Sequence, residues 1–207
     1  MGFANASCSF TRFRILDTIP QNLWNEIPER LKKFAFQDID ATTEVQAHGW
    51  VAIDDLLDTQ WESAPPQKAN YIVFSLRFDI RRIPAGVIKK HLQLALKQEM
   101  QTIQQQNKQF IARERKKEIK EQVLLRLRQR FLPVPGEFIV LWNTENNEVW
   151  FASTQAKMLD LFQELFLQTF DLHLEILTPY SLATSLLDEQ QTGLLDIVVP
   201  TDFAMRP

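Results

Sequence analysis

The run from Phe110 to Leu132 (FIARERKKEIKEQVLLRLRQRFL) constrains the fold of this chain more than any other, because it holds no Gly or Pro and is followed at once by Pro133 and Pro135. A helix is predicted over about 110–132, ending where proline cannot continue it. At 100° per residue, Arg113, Lys116, Lys117 and Lys120 share one face, which Leu124, Leu127 and Phe131 continue, with Ile119 and Val123 to one side. The face is basic in its first half and apolar in its second. Only the second half is therefore expected to pack on a core, leaving the first as a projecting, charged segment.

The same bias extends along the chain on both sides. Between Arg77 and Arg130 lie 15 Lys and Arg against 5 Asp and Glu, while the rest of the chain carries 8 basic and 21 acidic residues, for a net charge of -3. One basic surface on an acidic body steers a polyanion to one place. Lys89, Lys90 and Lys97 extend the patch toward the N-terminus, and Arg126, Arg128 and Arg130 toward the C-terminus. Arginine can clamp a phosphate through two hydrogen bonds, and lysine brings a mobile point charge. These ten cations are the candidate DNA-binding residues. The competing reading is a solvated helical hairpin held by i,i+4 pairs worth about 0.2–0.5 kcal/mol each. An arm for self-association is compatible with either, with Phe131 as its candidate contact. No helix-turn-helix, zinc finger or aromatic RNA-binding signature accompanies the patch, so base readout is not indicated.

Around this segment strands and helices mix without a regular βαβ repeat, which predicts an α+β fold of mixed or antiparallel sheets with packed helices. A first strand is expected within 7–16. Pro20 then opens an amphipathic helix through Leu23, Trp24, Ile27, Leu31 and Phe34. Gly49–Val51 begin a short strand. Residues 71–82 alternate, with Ile72, Phe74, Leu76, Phe78 and Ile80 on one side and Ser75, Arg77, Asp79 and Arg81 on the other, as in a half-buried strand whose outer face turns basic. Pro84 introduces a helix with the stripe Ile88, Leu92, Leu96, Met100 and Ile103, which the glutamine-rich 101–109 bends or ends. A hairpin (138–142 and 149–153), a helix (155–170), a strand (172–178) and a short helix after Pro179 follow. Three regions are expected: an N-terminal α+β part over 1–83, a basic helical arm over 84–132 and a C-terminal α+β part over 133–207.

Chemistry is sparse. The five glycines are isolated, with no phosphate-cradling loop, so no cofactor is expected. His48, His91 and His173 are scattered, Cys8 is the single cysteine, and no metal site or catalytic nucleophile is expected. Asp54, Asp55 and Asp58 form the one carboxylate cluster that a metal-dependent nuclease could use, although such loop clusters are more often caps or solvated charge. No apolar run reaches the roughly 20 residues of a membrane span, and no membrane association is expected.

Taken in order, several motifs resemble the bacterial recombination-associated protein RdgC family. They are Gly49–Val51 (GWV), Pro84–Lys89 (P-x-x-V-I-K), Lys116–Leu124 (KKEIKEQVL), Ile139–Trp142 (IVLW), Trp150–Ser153 (WFAS) and Thr178–Leu182 (TPYSL). The family has sometimes been labelled a putative exonuclease, but the residues give no support for catalysis, so a non-enzymatic protein is expected. The single cysteine fits a reducing cytoplasm, and the resemblance adds association with the nucleoid. A protein of this kind would bind duplex DNA without sequence preference, with single-stranded DNA as a second candidate, as a homodimer that closes into a ring and restrains RecA-driven strand exchange. Relative to the usual family length, this chain is expected to lack a C-terminal region. Docking of the basic arm on an acidic protein or a second copy is the alternative function.

Overall fold

The computed structural model describes residues 7–105, 110–197 and 199. In chain order the elements are β1 (Thr11–Ile15), α1 (Leu23–Lys33), β2 (Gln46–Val51), β3 (Gln67–Lys68), β4 (Tyr71–Ile80), α2 (Ala85–Gln105), α3 (Arg113–Arg128), β5 (Val134–Asn143), β6 (Glu148–Phe151), α4 (Ala156–Phe170), β7 (Leu174–Ile176), α5 (Pro179–Leu186) and α6 (Glu189–Leu195). The strands form an antiparallel sheet in the order β2-β4-β5-β6-β1-β7, with β3 also paired to β4. The α+β class expected from the mixed pattern is borne out. Contacts divide the chain into two compact units, one of residues 1–27, 67–73 and 140–207 and the other of 28–66 and 74–139.

The first unit is built on aromatic packing. Helix α4 turns Met158, Phe162, Leu165, Phe166, Thr169 and Phe170 inward, a helical stripe wide enough to cover a sheet face. Phe162 stacks on Phe151 of β6 at 4.3 Å between ring centroids, and Trp142 of β5 meets Phe166 and Phe170 at 5.5 and 5.4 Å. Such ring pairs add about 0.5–1.5 kcal/mol each beyond their buried area. The turn between β5 and β6 places Asn147 at φ 58°, a conformation that asparagine tolerates better than most side chains. The strand expected over 172–178 narrows to β7. Helix α5 starts at Pro179 behind a reciprocal Thr178–Ser181 cap, and α6 follows it as a separate element.

In the second unit the structure corrects the reading of β4. Rather than leaving one side to solvent, the strand is buried on both, with Phe74, Leu76 and Phe78 on one side and Ser75, Arg77 and Asp79 on the other. Loop segments from 36–58 supply the cover. Arg77 donates two hydrogen bonds to Asp79, at 2.9 and 2.7 Å, and lies 4.0 Å beneath the ring of Phe36. Arg81 donates to the carbonyls of Ile39 and Thr42 at 2.8 and 2.7 Å. A charge survives burial only when paired and hydrogen-bonded in this way, so the polar half of the alternation marks an internal network.

Gly49–Val51 end β2 rather than begin it. Gly49 has a steric role: a Cβ there would stand 2.5 Å from the backbone of Phe36. The close approach lets Phe36 donate its N–H to the carbonyl of Trp50 while Trp50 donates to that of Phe34, both at 3.0 Å. That pairing also explains why Phe34 falls outside α1, which ends at Lys33.

Candidate nucleic-acid interface

Helices α2 and α3 pack along a seam of their own. Ile119, Val123 and Leu127 of α3 are buried, and Ile88, Leu92, Ala95 and Leu96 of α2 pack against them. Full burial of each of the three α3 side chains stabilises by about 1.5–3 kcal/mol. Across its full length α2 has no buried residue, so its order depends on this one half-covered stripe. Residues 101–105 remain helical, while the rest of the expected bend, 106–109, lies outside the described residues.

The seam changes the phase read from sequence. Its buried positions recur every four residues through Ile119, Val123 and Leu127, whereas Leu124 and Phe131 are half-buried. Nor is the first half of α3 unpacked. Ile111 is buried, and Arg115, in line with the seam, grips Glu99 of α2 through two hydrogen bonds of 2.7 and 3.1 Å while also bonding Glu118 at 3.0 Å. This grip holds the Glu99 carboxyl below its usual range and raises the Arg115 guanidinium further above its own. An ion pair thus continues the line where apolar residues run out, so the helix is held at both ends. The helix also starts later and stops earlier than expected, at Arg113 and Arg128.

The ten candidate cations stand outside this internal network. Nine are exposed and Arg128 is half-buried, and none forms an ion pair or side-chain hydrogen bond among the described residues. They do not form one face. Because the seam repeats every four residues, Lys116, Lys120 and Arg128 align on one flank of α3, with Arg113 and Lys117 on its outer side. Glu114, Glu118 and Arg126 line the opposite flank. Arg130 follows the end of the helix. Lys90 and Lys97 of α2 meet Lys116 around a cleft of about 650 Å³, while Lys89 is exposed outside it. Phe131 packs against the seam cluster and commits part of its ring to its own chain. More exposed apolar side chains stand nearby in sequence at Phe110 and Leu132, which are 77% and 69% accessible.

The carboxylate cluster is occupied by its own loop. Asp58 accepts hydrogen bonds from the Ser63 hydroxyl and from the backbone N–H groups of Gln60, Glu62 and Ser63, which hold its carboxyl well below the usual range. Asp55 accepts from the N–H of Leu57. Among the described residues no group of three or more His, Cys, Asp or Glu side chains could hold a metal ion. His173 pairs with Asp17 at 3.0 Å, away from the other two histidines in sequence. No described helix is long and apolar enough to cross a membrane.

The fold is thus an α+β scaffold carrying a helical pair whose candidate cations have no acidic partner among the described residues. Residues 8–189 match the sequence profile of the family described as "Putative exonuclease, RdgC". The chain belongs to the RdgC family, and membership suggests a recombination-related, nucleoid-associated, DNA-binding role. A search of curated proteins gave no match.

Proposed function

We propose that this chain binds DNA without regard to sequence, by presenting the exposed cations of α2 and α3 to backbone phosphates. One observation carries the reading. Of the basic side chains between Arg77 and Arg130, Arg77, Arg81 and the half-exposed Arg115 are engaged by acceptors of the chain itself, whereas Lys89, Lys90, Lys97, Arg113, Lys116, Lys117, Lys120, Arg126, Arg128 and Arg130 have no internal acidic partner among the described residues. Three of the five carboxylates in the same stretch, Asp79, Glu99 and Glu118, are already paired with Arg77 or Arg115. Setting aside those three arginines and three carboxylates leaves 12 basic residues against 2 acidic ones, Glu114 and Glu121, so the stretch keeps its balance of +10 on the remaining side chains.

The reading extends to a homodimer on duplex DNA in the cytoplasmic nucleoid that restrains RecA-dependent strand exchange, supported by family membership. Phe131 keeps a partly exposed edge for the dimer contact, and single-stranded DNA is a second ligand form. The role is non-catalytic in this reading, since Asp55 and Asp58, the best placed acids for a nuclease, already accept loop hydrogen bonds.

Fluorescence anisotropy with duplexes of unrelated sequence tests the proposal. Affinity should be equal across sequences and fall steeply with salt, by about 0.9 logarithmic units per tenfold salt increase for each phosphate contacted. Strong preference for one sequence, or no binding at low salt, would overturn it. Labelled DNA kept with Mg²⁺ or Mn²⁺ should stay intact.

A further inference from the structure

The cleft beside the α2–α3 seam has a chemistry that phosphate binding leaves unexplained. Leu94, Leu96 and Met100 of α2 and Ile111 form apolar walls, and Lys90, Lys97 and Lys116 stand among them. On α2 the spacing of Lys90, Leu94 and Lys97 places all three on one strip of the outer face, turned away from the residues that pack against α3, and Leu96 and Met100 lead from it toward the seam. Leu94 is 48% accessible although it belongs to a well-formed helix. No aromatic ring or carboxylate lines the cleft among the described residues.

Those features select among polyanions. Unpaired bases bind chiefly by stacking on aromatic side chains, and this cleft offers only aliphatic walls. A bare phosphate backbone would use the lysines and leave the walls wet. An acidic peptide with a bulky apolar residue between its carboxylates would satisfy both parts: the side chain displaces water from the walls while the carboxylates meet the three ammonium groups.

We propose that this cleft is a docking site for an acidic segment of a partner protein, anchored by one large apolar side chain. The site shares Lys90, Lys97 and Lys116 with the DNA-binding surface proposed above, so peptide and DNA would exclude one another. Occupancy by the partner would then release DNA, which gives the interface a means of regulation. The peptide site itself does not depend on the DNA reading.

The probe is a fluorescein-labelled nonapeptide of aspartates around a central phenylalanine, read by anisotropy against the full chain. A second peptide has serine in place of the phenylalanine. The first should bind at least tenfold more tightly, and unlabelled duplex should compete it off. Leu94→Gln, at a partly exposed position, should weaken the phenylalanine peptide at least fivefold and leave duplex affinity unchanged, while Lys97→Glu should weaken both. Equal binding of the two peptides, or no response to Leu94→Gln, would overturn the proposal by reducing the cleft to a patch of charge. A larger loss for single-stranded oligonucleotide than for peptide on Leu94→Gln would overturn it in favour of a nucleotide site. If the peptide binds and duplex does not, the cleft stands and the DNA reading fails.

Discussion

Two sets of cations in the second unit follow opposite rules. Arg77 on β4 and Arg81 just after it are buried and donate to Asp79 and to loop carbonyls, whereas Lys116, Lys117 and Lys120 on α3 face solvent with no internal partner among the described residues. The first set holds loops onto a strand. The second is held in place by a seam of aliphatic side chains and leaves its charge for something else. Equal formal charge thus serves architecture in one place and, in the function proposed above, recognition in the other, and the side chain's surroundings decide which.

The largest expected effect comes from breaking the inner set. Arg77→Met strands the Asp79 carboxylate in a buried site and should cost about 3–5 kcal/mol of stability, measurable by urea unfolding. The double variant Arg77→Met/Asp79→Leu should recover part of that loss, because no lone charge remains. Protein that is still folded should bind DNA as before, and a large loss of affinity without loss of stability would erase the distinction between the two sets.

Reversing the outer set should do the converse. Lys116→Glu, Lys117→Glu and Lys120→Glu together should lower duplex affinity about a hundredfold, equivalent to about 2.8 kcal/mol, and flatten the salt dependence. Thermal stability should hardly move, because none of the three is paired inside the fold. A substantial fall in melting temperature with unchanged affinity would place these lysines on the architectural side.

The smallest effect concerns the acidic loop. Asp58 has a lowered carboxyl pKa in the fold, so its hydrogen bonds stabilise above the ordinary carboxylate range and are lost only as pH falls through that lowered value. The amide signals of Gln60, Glu62 and Ser63 should therefore keep their native shifts near pH 4 and move in stronger acid. Asp58→Asn should abolish that transition while leaving DNA binding intact. A titration at the ordinary value would mean that the loop does not hold the carboxylate.

How much of this was legible in the sequence depended on whether a signal was local. Helix α4 could be read from Phe162, Phe166 and Phe170, and the β5–β6 hairpin from apolar runs flanking an Asn-rich turn, because each pattern closes over neighbouring residues. The class and the family followed from such elements taken in order. For β4, alternation gave the strand and its two sides but not that 36–58 cover the polar one, since that depends on distant carbonyls and on Phe36. The seam of α3 was missed for a related reason. Arg115 reads as one more surface cation until Glu99, sixteen positions earlier, is seen to accept its hydrogen bonds. The spacing of Ile119, Val123 and Leu127 was the available clue, and a purely four-residue recurrence is easily mistaken for a side stripe next to the longer run of leucines.

Gly49 ties the inner network to a hydrogen atom. With no side chain there, the backbone of Phe36 settles against β2, and the ring of that same residue lies over the Arg77 guanidinium. Even alanine would wedge the two backbones apart and admit water to the salt link beneath. The dryness of that charge pair is thus secured by an omission: a residue with nothing to contribute except room.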